Sequence, residues 1–461
     1  MLSKLKLLII FLITSEVSLE LLQLNEIERL CYPKIHQNTR KACECIEESN
    51  PSWGLRAVNI DCSFKDFLTS DLTEELPLFT DILHLNWNAL ETIPQLSSDS
   101  LRLLNLMHNN ISLVTGNNFI KIKNLIELYL SWNSLQIIEP NAFEGLNSLQ
   151  ILDLSHNNLI ALESNIFLPL QLLDSLYLSW NRNLNETKGI QEIDFYTLLG
   201  INDELKVLRL QSCSLNNTIL PESVPLQELD LRHNALKRIP EFLPDSLEKL
   251  DISDNLLETL QENDTKHLTH LREFFMDDML YFTTIEEKAL FHLKSVEKLS
   301  FQNNRRLKRI HERAFGANAT HSPSLHSIIF RGSALHSFNV SLATVFHQLT
   351  TLDLNGVPLR CDCQLAWLKE LTIETNGRCI QPPRLRGLSL RSVRSKDFSC
   401  ETWPRWLTSI IIFSLIIVCS LAIYLIVIGL RPFGNVVMRR KIGVNSPYAR
   451  VTIEPNRQDS Y

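Results

Sequence analysis

The residues of this chain with the clearest chemical potential are its ten cysteines. Eight of them fall into two groups of four, one towards each end of the sequence. The groups are Cys31, Cys43, Cys45 and Cys62, and Cys361, Cys363, Cys379 and Cys400. Clustered thiols either bind a metal or pair as disulfides, and the spacings typical of zinc sites are absent from both groups. Even-numbered groups in a chain that enters the secretory route predict disulfides and no metal site.

A second candidate for chemistry is the pentapeptide YLSWN, which occurs at residues 129–133 and again at 177–181, 48 residues later. Tyrosine and tryptophan beside charged residues are typical of protein-binding surfaces, because rigid rings bury a large area at little cost in entropy. A cofactor site seldom uses the same peptide twice. A repeat architecture does so, because it stacks equivalent residues in rows.

The elements that position these residues follow from a leucine pattern aligned on the asparagine of YLSWN. Each copy has apolar residues at relative positions 0, 3, 5 and 10 and asparagine at position 8. About twelve copies occur, mostly 21 to 25 residues apart. Alternating leucines place one face of a short strand in the core, and strands stacked about 4.8 Å apart form a long parallel sheet. We expect the asparagine amide to satisfy backbone groups in the turn that follows each strand.

Two other features of the pattern predict core positions. Cys213 replaces the asparagine in one copy, so we expect a structural residue there and not a reactive thiol. Phe119, Phe143 and Phe167 each lie ten residues after the asparagine of their copy. They are predicted to stack as a buried column of rings.

Both ends of the chain predict a membrane protein. Residues 1–18 resemble a signal peptide, since Lys4 and Lys6 precede an apolar run that is too short to span a bilayer. Residues 407–430 are 24 uncharged residues, which is enough for one transmembrane helix. Arginine and lysine follow this segment, so residues 431–461 are predicted to form a short cytoplasmic tail. We therefore expect a single-pass type I protein of the plasma membrane with its N-terminus outside.

Composition and motifs argue against several function classes. The net charge of −7 does not favour nucleic acid as a partner. The sequence has no recognisable nucleophile and base pair, metal set or phosphate loop, so neither an enzyme nor a cofactor is predicted. Six N-x-S/T sequons precede the apolar segment and none follows it, which predicts a glycosylated exterior. The acceptor positions are Asn110, Asn185, Asn216, Asn263, Asn318 and Asn339.

The repeats and the cysteine groups together show a family resemblance. VNIDCSFKDF followed by LPLFTDILHLNWNALETIP resembles the amino-terminal cap and first repeat of extracellular leucine-rich repeat proteins, and GVPLRCDCQLAWLKEL with Cys379 and Cys400 resembles their carboxy-terminal cap. Toll-type receptors and Slit-like guidance proteins are of this kind. The resemblance implies an α/β-type leucine-rich repeat solenoid, a horseshoe with a parallel sheet on its concave side and disulfide caps at both ends. In addition to this fold, we expect one transmembrane helix. We do not expect the cytoplasmic signalling domain that Toll-type receptors carry.

The resemblance also implies domain boundaries and disulfide pairs. An N-terminal region with its cysteine cap spans 19–75, the repeats span 76–358, and the second cap spans 359–402. The implied disulfides join Cys31 to Cys45, Cys43 to Cys62, Cys361 to Cys379 and Cys363 to Cys400.

A candidate ligand surface follows from the alternation of side chains in each copy. Residues between the two inward leucines, and just before the asparagine, are expected to point from the core onto the concave surface. Tyr129 and Tyr177 hold the first position and Trp132 and Trp180 the second; nearby copies add Asp153, His156 and Arg209. A ligand surface is one interpretation. The other is that the rings pack on their neighbours and that histidine before the asparagine is ordinary repeat filler.

Two further segments, one in the second cap and one in the tail, contain short patterns that each have more than one interpretation. Residues 378–396 contain six basic residues and no acid, which is typical either of a site for sulfated glycosaminoglycan or of a solvated cap. Tyr448 and Val451 in the tail match a tyrosine-based endocytic sorting signal and, more loosely, a phosphotyrosine motif.

The leading hypothesis is a surface protein that binds an extracellular or cell-surface protein through its concave face, for adhesion, guidance or receptor assembly, and that signals only through partners. The alternative is an auxiliary subunit of a channel or signalling receptor, which acts through the membrane segment. The sequence does not distinguish a monomer from a homodimer.

Overall fold

A computed structural model gives the fold for most of the repeats, both caps and the apolar segment. The described residues are 30, 42–49, 56–72, 75–184, 193–194, 200–201, 203–216, 218–219, 225–241, 243–317, 323–373, 375–400 and 405–438. The predicted signal peptide, Cys31, the sequons at Asn185 and Asn318 and the tail motif at Tyr448 and Val451 lie outside them. The chain divides into two compact units, Met1–Phe398 and Ser399–Tyr461.

The first unit is built on one sheet of fourteen strands in its described part. In spatial order, which is also chain order, the strands are Glu44–Ser49, Arg56–Asp61, Thr80–His84, Leu103–Asn105, Glu127–Tyr129, Ile151–Asp153, Ser175–Tyr177, Val207–Arg209, Glu228–Asp230, Lys249–Asp251, Glu273–Phe275, Lys298–Ser300, Ser327–Ile329 and Thr351–Asp353. The first pair is antiparallel, and every later pair is parallel. This is the parallel solenoid sheet that the leucine pattern predicts, with about twelve turns.

The register of the sheet places equivalent leucines side by side. Leu128 lies between Leu104 and Leu152 on the adjacent strands, and all three are fully buried. A strand of only three residues has little stability of its own, because it makes few backbone hydrogen bonds and has one apolar side chain to bury. Stacking supplies the missing core, so each repeat is stabilised by its neighbours.

The asparagines form a ladder of hydrogen bonds beside the sheet. Asn133 is representative: its Oδ1 accepts the Ile111 N–H at 3.0 Å, and its Nδ2 donates to the carbonyl oxygens of Leu106 and Leu130 at 2.9 and 3.1 Å. Each side chain thus satisfies backbone groups both of its own repeat and of the repeat before it. This confirms the role expected for the repeated asparagine.

Replacing Asn181 by alanine is expected to lower the free energy of unfolding of the repeat domain by about 3 kcal/mol. The side chain is fully buried, accepts from Leu159 N–H and donates to the Leu154 and Leu178 carbonyls, and each buried backbone group left unpaired costs roughly 1–3 kcal/mol. Denaturant unfolding measures the change. Asn183→Ala is the matched control, since among the described residues Asn183 bonds only to the exposed side chain of Asn158, and we expect a change below about 0.5 kcal/mol. Equal decreases in the free energy of unfolding for the two variants would contradict the stabilising role of the asparagine hydrogen bonds.

The phenylalanines predicted as core do stack. Phe143 lies 6.4 Å from Phe119 and 5.9 Å from Phe167, measured between ring centroids, and all three rings are fully buried. A second series of rings runs from Phe282 through Phe301 into the carboxy-terminal cap, where Trp367 packs against it.

The remaining elements connect or close the repeats. Short strand pairs and one triplet are Leu113–Val114 with Ile137–Ile138, Ile193–Asp194 with Thr218–Ile219, Thr259–Leu260 with Thr284–Ile285 and Arg309–Ile310, and Pro358–Arg360 with Arg378–Gln381. Short α-helices are Glu262–Thr265 and Ala343–His347. Turns of 3-10 helix are Thr69–Asp71, Val340–Leu342, Ala366–Glu370, Pro383–Leu385, Leu390–Ser392 and Ser395–Asp397.

Disulfides lie at both ends of the sheet. Cys43 is bonded to Cys62 and Cys361 to Cys379, which are two of the pairs that the family resemblance implies. Cys45, Cys363 and Cys400 are disulfide-bonded as well. The cross-links hold the caps over apolar cores that an open solenoid would expose to water.

The second unit contains one long helix, Arg405–Met438. Its segment Leu407–Ile426 is apolar and long enough to cross a membrane. The helix is longer at both ends than the 407–430 segment expected from hydropathy.

Candidate functional site: a strand row and an aromatic ladder

The candidate residues fall on two adjacent rows of the repeat domain. The first, the strand row, comprises Tyr129, Asp153, Tyr177 and Arg209, which occupy equivalent positions on four neighbouring strands. Their Cα atoms are direct partners in the sheet register. Residues separated by 24 to 32 positions in sequence therefore become nearest neighbours on one face, as expected from the repeat spacing.

Side-chain contacts hold the tyrosines of the strand row in place. The Tyr129 hydroxyl donates to Glu127 Oε2 at 2.7 Å, and burial together with this carboxylate raises the pKa of the phenol well above its usual range. The Arg209 guanidinium lies 4.9 Å from the Tyr177 ring centroid and also pairs with Glu228 at 3.1 Å. Fixed rings of this kind lose little entropy when a partner covers them.

Asp153 has a structural role within the same row. It is almost completely buried, and its Oδ1 accepts hydrogen bonds from the backbone N–H and the hydroxyl of Ser155 at 2.9 and 2.5 Å. The carboxylate thus holds the turn that follows its own strand. Among the predicted ligand-binding residues, it is the one least available to a partner.

The second row lies in the turns after the strands. Trp132 and Trp180 come three residues after strands that end at Tyr129 and Tyr177, and their φ angles of 57° and 64° are in the left-handed region. They therefore lie in the turns at the carboxyl edge of the sheet, beyond the ends of the strands. Tryptophan with a left-handed backbone conformation is uncommon. Here a backbone hydrogen bond from each turn to the next repeat stabilises this conformation, for example from the Trp132 N–H to the Ser155 carbonyl.

Successive turns bring their rings into a continuous stack, which we call the aromatic ladder. It comprises Phe64, Trp87, His108, Trp132, His156 and Trp180. Centroid distances along it are 5.4, 3.7, 5.0, 3.9 and 5.3 Å, and neighbouring rings are nearly parallel. Each histidine lies closest to the tryptophan before it.

The ladder continues beyond the tryptophans into charged residues. Trp180 lies 5.9 Å from His233, whose Nδ1 contacts the Asp254 carboxylate, and the Arg182 guanidinium lies 5.1 Å from the Trp180 ring. The edge of the sheet therefore changes from aromatic to charged along the stack.

The histidines and the first two rings are functional candidates that sequence reasoning undervalued or missed. His156 was a candidate ligand residue with repeat filler as the alternative interpretation, whereas His108, Phe64 and Trp87 were not selected as ligand residues. The available signal was the alternation Trp87, His108, Trp132, His156, Trp180 just before successive asparagines, which makes every second ring an indole. That alternation could have predicted a stack with a period of two repeats.

The histidines inside the ladder are expected to titrate below the ordinary value of 6.5, because burial lowers the pKa of both His108 and His156. The folded chain then resists protonation that the unfolded chain accepts, so stability is present above pH 6.5 and falls as the solution is acidified below it. NMR titration of the ring protons measures the two pKa values. Midpoints above 6.5 would show instead that the flanking indole faces stabilise the imidazolium.

Cys213 behaves as the substitute for asparagine that the repeat pattern predicts. It is buried, its thiol contacts the Leu178 carbonyl oxygen at 3.2 Å, and burial raises its pKa to about 12. The thiol is therefore neutral at pH 8, and a neutral thiol is a poor nucleophile. We expect no alkylation by iodoacetamide at pH 8 until denaturant unfolds the domain; rapid modification of the folded protein would contradict the structural role.

The basic segment of the second cap is largely engaged in holding that cap together. Arg378 donates to the Gly387 carbonyl at 3.1 Å, Arg384 to the Asp397 carbonyl at 3.0 Å and Arg391 to the Ile373 carbonyl at 3.0 Å. Arg394 forms an ion pair with Asp397 at 2.8 Å. These contacts explain four of the six basic residues as structural, and Arg386 and Lys396 are exposed.

The sequon asparagines that the structure describes are accessible. Asn110, Asn216, Asn263 and Asn339 are all exposed. Thr265, the threonine of the Asn263 sequon, is fully buried and donates to the Ala289 carbonyl at 2.8 Å. Glycosylation at that position would therefore have to precede folding of this repeat.

Comparison with protein families agrees with the repeat geometry. The leucine rich repeat model matches residues 99–159 and 133–182, which contain the strand row's tyrosines and most of the ladder, and the leucine rich repeat C-terminal domain model matches residues 376–401. The chain therefore contains leucine-rich repeats and the C-terminal domain that accompanies them. The strands and turns of residues 99–182 and the part of the second cap that contains Cys379 lie within these matches.

The chain spans less than half the length of the relatives that it matches. Podocan-like protein 1 of Mus musculus is 31% identical over 226 residues, which are 47% of this chain and 38% of the relative. Chondroadherin-like protein of Homo sapiens is 37% identical over 84 residues, 17% of this chain and 11% of the relative. Toll, solved in complex with Spatzle from Drosophila, has a TM-score of 0.49 and 19% identity, covering 71% of this chain and 56% of that one.

Proposed function

We propose that this leucine-rich repeat protein is a single-pass cell-surface protein that binds an extracellular protein through the strand row and the aromatic ladder. The observation that supports this most is the adjacency of the two rows. Tyr129 and Trp132 belong to one repeat, Tyr177 and Trp180 to another two repeats away, and the rings are held by stacking and by charged neighbours. Pre-positioned aromatic rings beside arginine have the composition of interface hot spots.

The membrane placement is part of the same proposal. The apolar helix supports an anchor, with the repeat domain outside the cell, where its disulfides are stable. In this proposal, signalling passes through partner proteins. Adhesion, guidance and a co-receptor role all satisfy these conditions.

The experiment that tests this function is a binding screen. The repeat domain with both caps, residues 19–406, is displayed as a soluble dimer and screened against cell-surface and secreted proteins, with heparan sulfate included. Each hit is retested with the four-alanine variant, in which Tyr129, Trp132, Tyr177 and Trp180 are all alanine. Protein hits that the folded variant loses support the proposal.

Other outcomes of the screen point to different functions. Hits that depend on Arg386 and Lys396 would assign binding to the cap and favour a sulfated glycosaminoglycan. No dependence on the four aromatic residues, with activity retained in cells by the four-alanine variant, would favour an auxiliary subunit that acts through the membrane helix.

A further inference from the structure

The aromatic ladder has a period of two repeats. Trp87, Trp132 and Trp180 recur in every second turn, and His108 and His156 fill the turns between them. The centroid steps through the histidines are 3.7 and 5.0 Å, then 3.9 and 5.3 Å, so successive indoles are roughly 9 Å apart along the stack. Tyr129 and Tyr177 in the strand row share this period.

The indoles of the ladder offer hydrogen-bond donors that are free to meet a ligand. Trp87 and Trp132 are each 48% exposed. Within the described part of the chain, no acceptor receives the indole N–H of Trp87, Trp132 or Trp180. Trp367, by contrast, lies in the second cap and donates its N–H to the Phe338 carbonyl at 3.3 Å. The ring faces are occupied by stacking, so the ladder presents ring edges and N–H groups.

The spacing of these indole N–H groups matches the carbonyl spacing of one peptide backbone conformation. A polyproline II helix has three residues per turn and rises about 3.1 Å per residue, so equivalent carbonyls recur about every 9.3 Å on one side. In a β-strand, equivalent groups recur about every 6.7 Å, and the third residue along points to the opposite face. An α-helix has a pitch of about 5.4 Å and bonds its own carbonyls. Of these three conformations, only the polyproline II helix matches the period of the aromatic ladder and also has carbonyl groups that make no hydrogen bonds within the segment.

We propose that the aromatic ladder binds a polyproline II segment of the partner protein, which runs along the stack and across the strands. Carbonyl oxygens at positions i, i+3 and i+6 of the segment accept from the indoles of Trp87, Trp132 and Trp180, and its pyrrolidine rings pack against the exposed ring edges. Such a segment is already ordered before binding, so its loss of entropy is small. This inference rests on the proposed function and names the chemistry of the partner.

The test measures binding of fluorescein-labelled oligoprolines to the full-length protein in nanodiscs by fluorescence anisotropy. Lengths of three, four, seven and ten residues are compared, with a ten-residue Gly-Ser peptide as a flexible control. Affinity is expected to rise in steps at four and seven residues, where a second and a third indole come into reach, and to change little at ten.

A conservative variant isolates the hydrogen bond. Trp132→Phe keeps an aromatic ring in the stack but removes the N–H, and we expect heptaproline to bind about fivefold more weakly, the effect of one hydrogen bond. Leu168→Ala, which removes an exposed apolar side chain outside both rows, is expected to leave the affinity unchanged.

Two results would overturn the inference. One is the absence of saturable oligoproline binding; the other is binding that is equal for wild type and Trp132→Phe. If protein partners depend on the four aromatic residues but oligoprolines neither bind nor compete with those partners, this inference is wrong and the proposed function stands. If no protein partner depends on those residues, the proposed function itself is wrong.

Discussion

Replacing Phe143 by alanine is expected to lower the free energy of unfolding of the repeat domain by about 4 kcal/mol. Phe143 is fully buried and stacks on Phe119 on one side and Phe167 on the other, so its removal leaves a cavity that both neighbouring repeats line. Substitutions of buried phenylalanine by alanine typically cost about 3–5 kcal/mol. Equilibrium unfolding in urea, followed by far-UV circular dichroism, measures the change.

The control for this prediction is Leu168, which follows Phe167 in the next repeat and is 60% exposed. Leu168→Ala removes an exposed aliphatic side chain beside the column of phenylalanines but creates no cavity, and we expect a change in the free energy of unfolding below about 0.5 kcal/mol. A loss below about 1.5 kcal/mol for Phe143→Ala would mean that the solenoid collapses into the space, and that the column of phenylalanines is not a rigid part of the core.

The four-alanine variant is expected to bind the protein partner at least about 100-fold more weakly than wild type. It removes two rings from the strand row and two from the ladder, and single aromatic hot spots commonly contribute about 2 kcal/mol or more. A 100-fold loss corresponds to about 2.7 kcal/mol, so the prediction is modest for four residues. Surface plasmon resonance with the partner immobilised measures the dissociation constant.

A matched variant separates loss of the site from loss of exposed apolar area in general. Leu168 and Leu172 are 60% and 50% exposed and lie outside both rows, and changing both to alanine should leave the affinity within about twofold of wild type. Circular dichroism and the melting temperature establish that each variant is folded. Similar affinities for the four-alanine variant and wild type would remove the two rows from the binding surface.

The fold was largely predictable because residues at equivalent positions of successive repeats contact each other. Leu104, Leu128 and Leu152 recur at the spacing of the strands, so a single pattern predicts the sheet, its register and the buried face. The position of Asn133 predicts its hydrogen bonds for the same reason, since the turn it stabilises follows every strand. Even the substitution at Cys213 was interpretable, because its position in the repeat identified its surroundings.

The candidate site was less predictable, since its geometry depends on backbone conformations that residue type does not favour. Tryptophan rarely adopts positive φ, yet Trp132 shares this conformation with His156, and their rings lie 3.9 Å apart. Without that shared turn conformation, the histidine has no evident partner in the sequence. The role of Asp153 was hidden for a related reason, because its bonds to Ser155 form only once the turn has closed.

Hydrogen–deuterium exchange with the bound partner tests the central claim most directly, since it locates the interface without altering a residue. The strand row and ladder predict slower exchange, on partner binding, in peptides covering 127–132, 151–156 and 175–180, with little change in the carboxy-terminal cap. Slower exchange confined to 378–396, or no change in the three repeat peptides at saturating partner, would contradict the account and place the binding surface elsewhere.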